Sequence, residues 1–467
     1  MFQIHNVKHP TQSYMTSSET SPLLENGGHS GQGNLPFTRR VVNFMKGEDE
    51  PSWIESFNFF IFGTWFNILL VFIPLSFISH IMDWDAGLIF SFSFLAIVPL
   101  AKLLGEATDQ LSVKLGETMS GLLNASFGNA VEIIVGVAAL LDGQLRIVQM
   151  SMLGSILSNI LLVLGCSFFA GGLYHKEGVF NGTGAQASAS LMALSCITLV
   201  IPAAYASTTD AGMQNHCSDT SECPTAGLLF ISRGTAILLL GVYCAYLWFQ
   251  LKSHPKLFIS PPSPTDEPNS EETVATTEME ETVPRMGTAA ASVALLSVTV
   301  VIAFCAEYLV SSIEETAVRY SIPKPFIGVV LLPIVGNAAE HVTSVWMAMK
   351  NKYELTVTIC VGSSIQIACF VVPLLVIVGW IVNQPLTLHF HNFETIVLFV
   401  SVFLVNLLMM DGRSNYMEGL MLLTLYVVIA LAFWVTSVPS TVGDKAASNK
   451  LISAPPISLG APQICTQ

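Results

Sequence analysis

The chain of 467 residues is 52% hydrophobic and only 11% charged, with a mean hydropathy of +0.61. A soluble domain carries roughly 25% charged residues, so an ordinary soluble fold is excluded and an all-α polytopic membrane protein is implied. The formal net charge of −14 sits mostly in loops and argues against nucleic acid as a partner.

Residues 1–50 are polar and rich in Ser, Thr and Gly, which reads as a disordered cytosolic segment rather than a secretory leader. They contain "ETSPLL" at 19–24, an acidic dileucine pattern of the kind that vesicle adaptors read. About 20 mostly apolar residues cross a bilayer. About eleven such stretches follow, near 57–80, 86–105, 118–141, 147–171, 185–205, 228–251, 288–312, 324–349, 355–381, 393–410 and 415–437.

Basic residues favour the cytosolic side. Arg39, Arg40 and Lys46 precede the first stretch and put the N-terminus in the cytosol. Lys102 and Lys114, Lys176, Lys252 and Lys256, Lys350 and Lys352, and Arg413 then fall on the same side, with Arg319 and Lys324 as exceptions. Eleven crossings put the C-terminus in the lumen. The loop 206–227 has no Lys or Arg and faces the lumen; it holds Cys217 and Cys223, which an oxidising lumen would allow to pair. The Asn181-Gly182-Thr183 sequon lies on the cytosolic side, so no glycan is expected there.

Two stretches repeat. Gly128-Asn129-Ala130-Val131-Glu132 matches Gly336-Asn337-Ala338-Ala339-Glu340 at an offset of 208 residues, and "LGSILSN" at 153–159 matches "VGSSIQI" at 361–367 at the same offset. Gly154 and Ser155 therefore pair with Gly362 and Ser363, and Ser158 pairs with Gln366. The register holds across two spans and a loop, which implies two copies of five spans each. An odd number makes the copies inverted, a plan of secondary transporters whose substrate site lies at the midplane. The expected organisation is an N-terminal segment 1–50, an extra first helix in 51–82, a first repeat 83–252, a link 253–287, a second repeat 288–437 and a tail 438–467.

A carboxylic acid at the centre of a spanning helix costs about 2.5–3.5 kcal/mol on insertion scales. Two acids at matching positions, Glu132 and Glu340, need a compensating role. Asn129, Asn337, Ser155, Ser158, Ser363 and Gln366 add amide and hydroxyl oxygens, and the glycines permit local unwinding that exposes carbonyls. Such an all-oxygen set with two negative charges suits Ca²⁺. Without the ion, two neighbouring carboxylates repel and are poorly solvated, so protons replace it. The bland alternative is a pair of protonated acids acting as interhelical hydrogen-bond glue.

These residues resemble the signature repeats of the vacuolar cation/proton exchangers, within the calcium/cation antiporter superfamily. The resemblance spans roughly 50–437, is most like the fungal members, and rests on "GNAVEII", "GNAAEHV", "GSILSN" and "GSSIQI". It implies Ca²⁺ binding and proton exchange at Glu132 and Glu340, with support from Asn129, Asn337, Ser155, Ser363 and Gln366. It implies a vacuolar, acidic endomembrane location, Ca²⁺ and H⁺ as cargo and no cofactor. Manganese is a candidate second cargo, since an oxygen site discriminates weakly.

Three further groups are candidates. His341 could relay protons or serve packing. Asp109 and Glu307 could guide ions or close helix ends. Asp266, Glu267, Glu271, Glu272, Glu278, Glu280 and Glu281 form either an acidic regulatory helix that attracts Ca²⁺, which the resemblance supports, or a solvated linker. The competing functions are a sodium-coupled calcium exchanger, a divalent-cation channel and an intramembrane hydrolase. Sodium/calcium exchangers place hydroxyls and a proline before the acid, where this chain has "NAV" and "NAA"; no HExxH motif occurs.

Overall fold

The computed structural model describes residues 51–115, 117–213, 223–254 and 285–435. The dileucine pattern, the Cys217–Cys223 pairing, the acidic run from Asp266 to Glu281 and the C-terminal tail lie outside the described residues.

Helices follow one another in chain order: α1 (Trp53–Phe62), α2 (Phe72–Ile81), α3 (Ala86–Leu115), α4 (Glu117–Phe127) and α5 (Ala130–Leu141). Next come α6 (Leu145–Tyr174), α7 (Gly182–Met213), α8 (Cys223–Trp248), α9 (Thr288–Arg319), α10 (Lys324–Gly336) and α11 (Ala338–Met349). The last are α12 (Tyr353–Ile381), α13 (Asn392–Leu408) and α14 (Tyr416–Val435). Every apolar stretch expected from the sequence is mostly helical, and α3 and α9 run well past their expected ends. Among the described residues seven helices are long and apolar enough to cross a membrane, and bent pairs raise the number to ten; α13 is a shorter apolar helix.

Local chemistry sets the helix ends. Ser52 and Glu55 form a capping box at α1, and the backbone N–H of His391 donates to Glu394 at 3.1 Å at the start of α13. Asp83, Ser321, Asn351 and Asn383 have positive φ just after α2, α9, α11 and α12, which turns the chain within a few residues.

Three expected spans are not continuous helices: the first turns by 90° between Trp53–Phe62 and Phe66–Ile81, and the other two break within the repeat. α4 and α5 meet at a 42° bend, and α10 and α11 at a 61° bend. Both breaks fall on the repeated Gly-Asn: Asn129 has φ −111° and ψ 30°, and Asn337 has φ −86° and ψ 9°. Glycine is a poor helix former, and asparagine competes for the backbone hydrogen bonds, so the helix stops and restarts there. The repeat also appears as π-helical turns at matching depth, Ser158–Val163 in α6 and Ile367–Val371 in α12.

Polar ties join the ends of the bundle. Asp85 pairs with Arg319, Glu314 with Lys324 at 2.6 Å, and Arg146 with Glu394. Elsewhere Glu177 pairs with Arg413 at 3.4 Å, beside a two-residue antiparallel pairing of Gly178 with Ser414 and Val179 with Arg413. Arg319 and Lys324, the two exceptions to the expected positive-inside pattern, are each paired with an acid, Asp85 and Glu314.

Candidate cation site

α6 and α12 are the most buried of the spans and pack on each other through their π turns. The breaks bring the first turns of α5 and α11 beside them. Glu132, in the first turn of α5, is 5% exposed. Its carboxyl lies so close to Gly336 that a Cβ there would stand 2.7 Å from Oε1. Glu132 also lines a cavity of about 20 Å³ with Ser151, Ser155 and Gly336, room for about one water molecule.

Glu340 occupies the first turn of α11. Its carboxyl lies beside Ser363, Asn159 and Glu132, and its Oε2 has no hydrogen-bond partner. A chain of hydrogen bonds runs past it. Asn159 Nδ2 donates to Ser363 Oγ at 2.8 Å, Ser363 Oγ donates to Asn129 Oδ1 at 3.0 Å, and Asn129 Nδ2 donates to Gln366 Oε1 at 2.5 Å. Asn337 Nδ2 donates to the Ser155 carbonyl at 3.3 Å. The structure therefore gathers Glu132, Glu340, Asn129, Asn337, Ser155, Ser363 and Gln366 from both copies into one cluster.

Three oxygens in this cluster, Asn159 Oδ1, Asn337 Oδ1 and Glu340 Oε2, are buried without a hydrogen-bond partner. An unmet buried acceptor costs about 1–3 kcal/mol. The three acceptors come from the π turn of α6 and from the N-cap and first turn of α11, and a cation among them would satisfy all three. No group of three or more His, Cys, Asp or Glu side chains occurs among the described residues, so an ion here would take carboxyl, amide, hydroxyl and carbonyl oxygens together.

Other candidates fall elsewhere. Ser158, matched to Gln366 by the repeat, lies beside Tyr426 of α14 rather than in the cluster. The extra backbone of the π turn changes which side chain faces inward, and Asn159 takes that place. Sequence reasoning missed Asn159; the available signal was a lone amide in an apolar run. His341 is half-buried, and its Nδ1 lies 3.1 Å from the Asn337 carbonyl, where it donates across the break. Asp109 sits near the end of α3 by Glu106, and Glu307 is exposed on α9; neither reaches the cluster.

Two matched, broken helices that offer one carboxyl group each to a shared oxygen cluster define a repeat-built carrier of cations. The chain belongs to the sodium/calcium exchanger protein family, whose profile matches residues 85–252 and 290–435. It is 47% identical over 375 residues to a vacuolar calcium ion transporter of Schizosaccharomyces pombe, covering 80% of this chain and 85% of that one. It is 40% identical over 388 residues to a Ca(2+)/H(+) antiporter of Aphanothece halophytica, covering 82% and 99%. Among solved structures, the Ca2+/H+ antiporter protein YfkE matches with a TM-score of 0.64 at 33% identity, over 79% of this chain and 99% of that one.

Proposed function

We propose that this protein is a secondary antiporter that moves cytosolic Ca²⁺ into an acidic, vacuole-like compartment in exchange for protons. The observation that carries the reading is the pair of carboxyl groups, Glu132 and Glu340, one from each copy, set among unpartnered buried oxygens. Cation and protons compete for the same oxygens, and that competition couples the two fluxes. Relatives named for vacuolar calcium transport and for Ca²⁺/H⁺ antiport support the cargo and the compartment.

In this reading Glu132 and Glu340 bind the ion and exchange protons. Asn129, Asn159, Asn337, Ser155, Ser363 and Gln366 complete or orient the set. The eleven-span topology has a cytosolic N-terminus, two inverted five-span repeats and an acidic cytosolic link. It draws support from ties such as Asp85–Arg319 and Glu177–Arg413, which would join opposite faces if any intervening count were wrong by one.

The test is Ca²⁺ uptake by purified protein in liposomes with an acidic interior, with and without a protonophore, beside Glu340→Gln. Uptake that needs the gradient and vanishes in the variant is expected. Uptake indifferent to the gradient but driven by sodium would replace proton coupling with sodium coupling.

A further inference from the structure

α6 and α12 hold matching places in the two copies, so one stripe can be followed down each from its outer end to the cluster. In α12 the stripe is Glu354, Thr358, Gly362 and Gln366; residues four apart share a helix face. All four line one cavity of about 90 Å³, with Asn181, Ser188 and Gln250 on its other wall. A Cβ at Gly362 would meet nothing within 4 Å, so the passage is open at that depth. Its inner end is Gln366, which accepts the Asn129 amide. A polar passage thus runs from a carboxylate at the helix end to the hydrogen-bond chain of the cation site.

In α6 the matching stripe is Arg146, Met150, Gly154 and Ser158. A cavity of about 520 Å³ is lined by Arg146 and Met150. Below them the way is shut: Met150 is 4% and Ser158 0% exposed, and Gly154 abuts the Val329 carbonyl and the Pro333 ring. Arg146 is bonded to Glu394 and to His391. Matching positions therefore carry opposite charge, an acid where the passage is open and a paired base where it is closed.

We propose that the Glu354–Thr358–Gly362–Gln366 stripe is the route by which a divalent cation reaches the site from the cytosolic face, with Glu354 as its capture residue. Arg146, neutralised by Glu394, holds the matching place at the opposite mouth, whose way inward is shut, so loading is favoured from one face. This rests on the antiport reading above. A carboxylate at the rim of a narrow polar passage raises the local cation concentration without binding tightly enough to hold the ion back. A first-turn acid also suits the helix dipole, but that role predicts a change in stability and none in Ca²⁺ dependence.

The test uses sealed vacuolar vesicles, cytosolic face outward, from a host lacking its own exchanger. Initial Ca²⁺ uptake is followed against external Ca²⁺ at two ionic strengths for the wild type, Glu354→Gln, Glu354→Asp and Glu340→Gln. Glu354→Gln should raise half-saturating Ca²⁺ about five- to tenfold, the effect of one charge on a divalent ion about 6–9 Å away in water-like surroundings. Its saturating rate and unfolding temperature should match the wild type and its uptake should lose most of its salt dependence, whereas Glu354→Asp should restore both affinity and salt dependence. Wild-type half-saturation and salt dependence in Glu354→Gln would overturn the proposal, as would a lower saturating rate accompanied by a lower unfolding temperature. Failure of the antiport reading looks different: the wild type shows no gradient-driven uptake, or Glu340→Gln keeps it.

Discussion

Gly336 offers a sharp test of the cation site, because it touches the acid of the other copy. A methyl carbon at this position would lie 2.7 Å from Glu132 Oε1 and 3.3 Å from its Cδ, whereas ordinary contact begins near 3.4 Å. In Gly336→Ala the carboxyl oxygen must retreat by about 0.7 Å. Calcium–oxygen distances run from about 2.3 to 2.6 Å, and a metal site tolerates deviations of about 0.2 Å. The displacement therefore removes Glu132 from the ion's reach unless the whole cluster shifts. Loss of one charged partner is worth about 1.5–3 kcal/mol, or roughly ten- to hundredfold in affinity. The obstructed atoms are the far end of a flexible side chain, so the fold should survive with stability changed by less than about 1 kcal/mol. Initial Ca²⁺ uptake by acid-loaded liposomes should show half-saturation raised at least tenfold with an unchanged unfolding temperature. Gly105→Ala, whose methyl would meet nothing within 4 Å, is the control. Wild-type Ca²⁺ dependence in Gly336→Ala would refute the placement of Glu132 at the ion.

Asn159→Ala removes both the donor to Ser363 and an unpartnered oxygen, and should cut uptake at limiting Ca²⁺ about tenfold or more; unchanged uptake would exclude Asn159 from the site. Arg146→Leu leaves Glu394, whose side chain is 4% exposed, without its cation, and should lower stability by about 3–5 kcal/mol in detergent unfolding. Arg319→Leu is the contrast, since that side chain is 55% exposed, and should cost less than about 1 kcal/mol. His341 donates to the carbonyl at the break, so His341→Ala should lose about 1 kcal/mol of stability while keeping the pH profile of transport; a flattened profile would restore a proton-relay role.

The repeated Gly-Asn-Ala-X-Glu was legible because it violates two preferences at once, a weak helix former and an acid in lipid, and does so at a fixed offset. That located both carboxyl groups before any geometry. The bends themselves were not legible, since a helix can tolerate one glycine and one asparagine. Nor were the π turns, which depend on how α6 and α12 pack and not on any residue type; through them Ser158 was read as facing the site where Asn159 does. The orientation of Glu307 was not legible for a related reason. In lipid both faces of a helix are apolar, so an acid interrupting the run does not reveal whether it points inward, and the structure leaves it exposed on α9. The stripe from Glu354 to Gln366 was readable in principle from its four-residue spacing, but only the closed stripe in α6 gives it meaning.

That contrast between the copies bears on the transport cycle. Gly154 and Gly362 are equivalent by the repeat, yet their surroundings are opposite. A methyl at Gly362 would enter open space, while one at Gly154 would stand 2.6 Å from Pro333 Cγ and closer still to the Val329 carbonyl. If the two arrangements exchange during transport, as alternating access between inverted copies requires, Gly154→Ala obstructs the state seen here and spares the opposite one. The penalty falls on backbone and a proline ring, which yield little, so the population should shift toward the state open at the other face. Half-saturating cytosolic Ca²⁺ should rise in Gly154→Ala and stay within about twofold of wild type in Gly362→Ala. Equal effects of the two substitutions would mean that the asymmetry is a fixed feature of the fold, and the closed mouth beside Arg146 would then have to open by some movement other than the parting of α6 from α10.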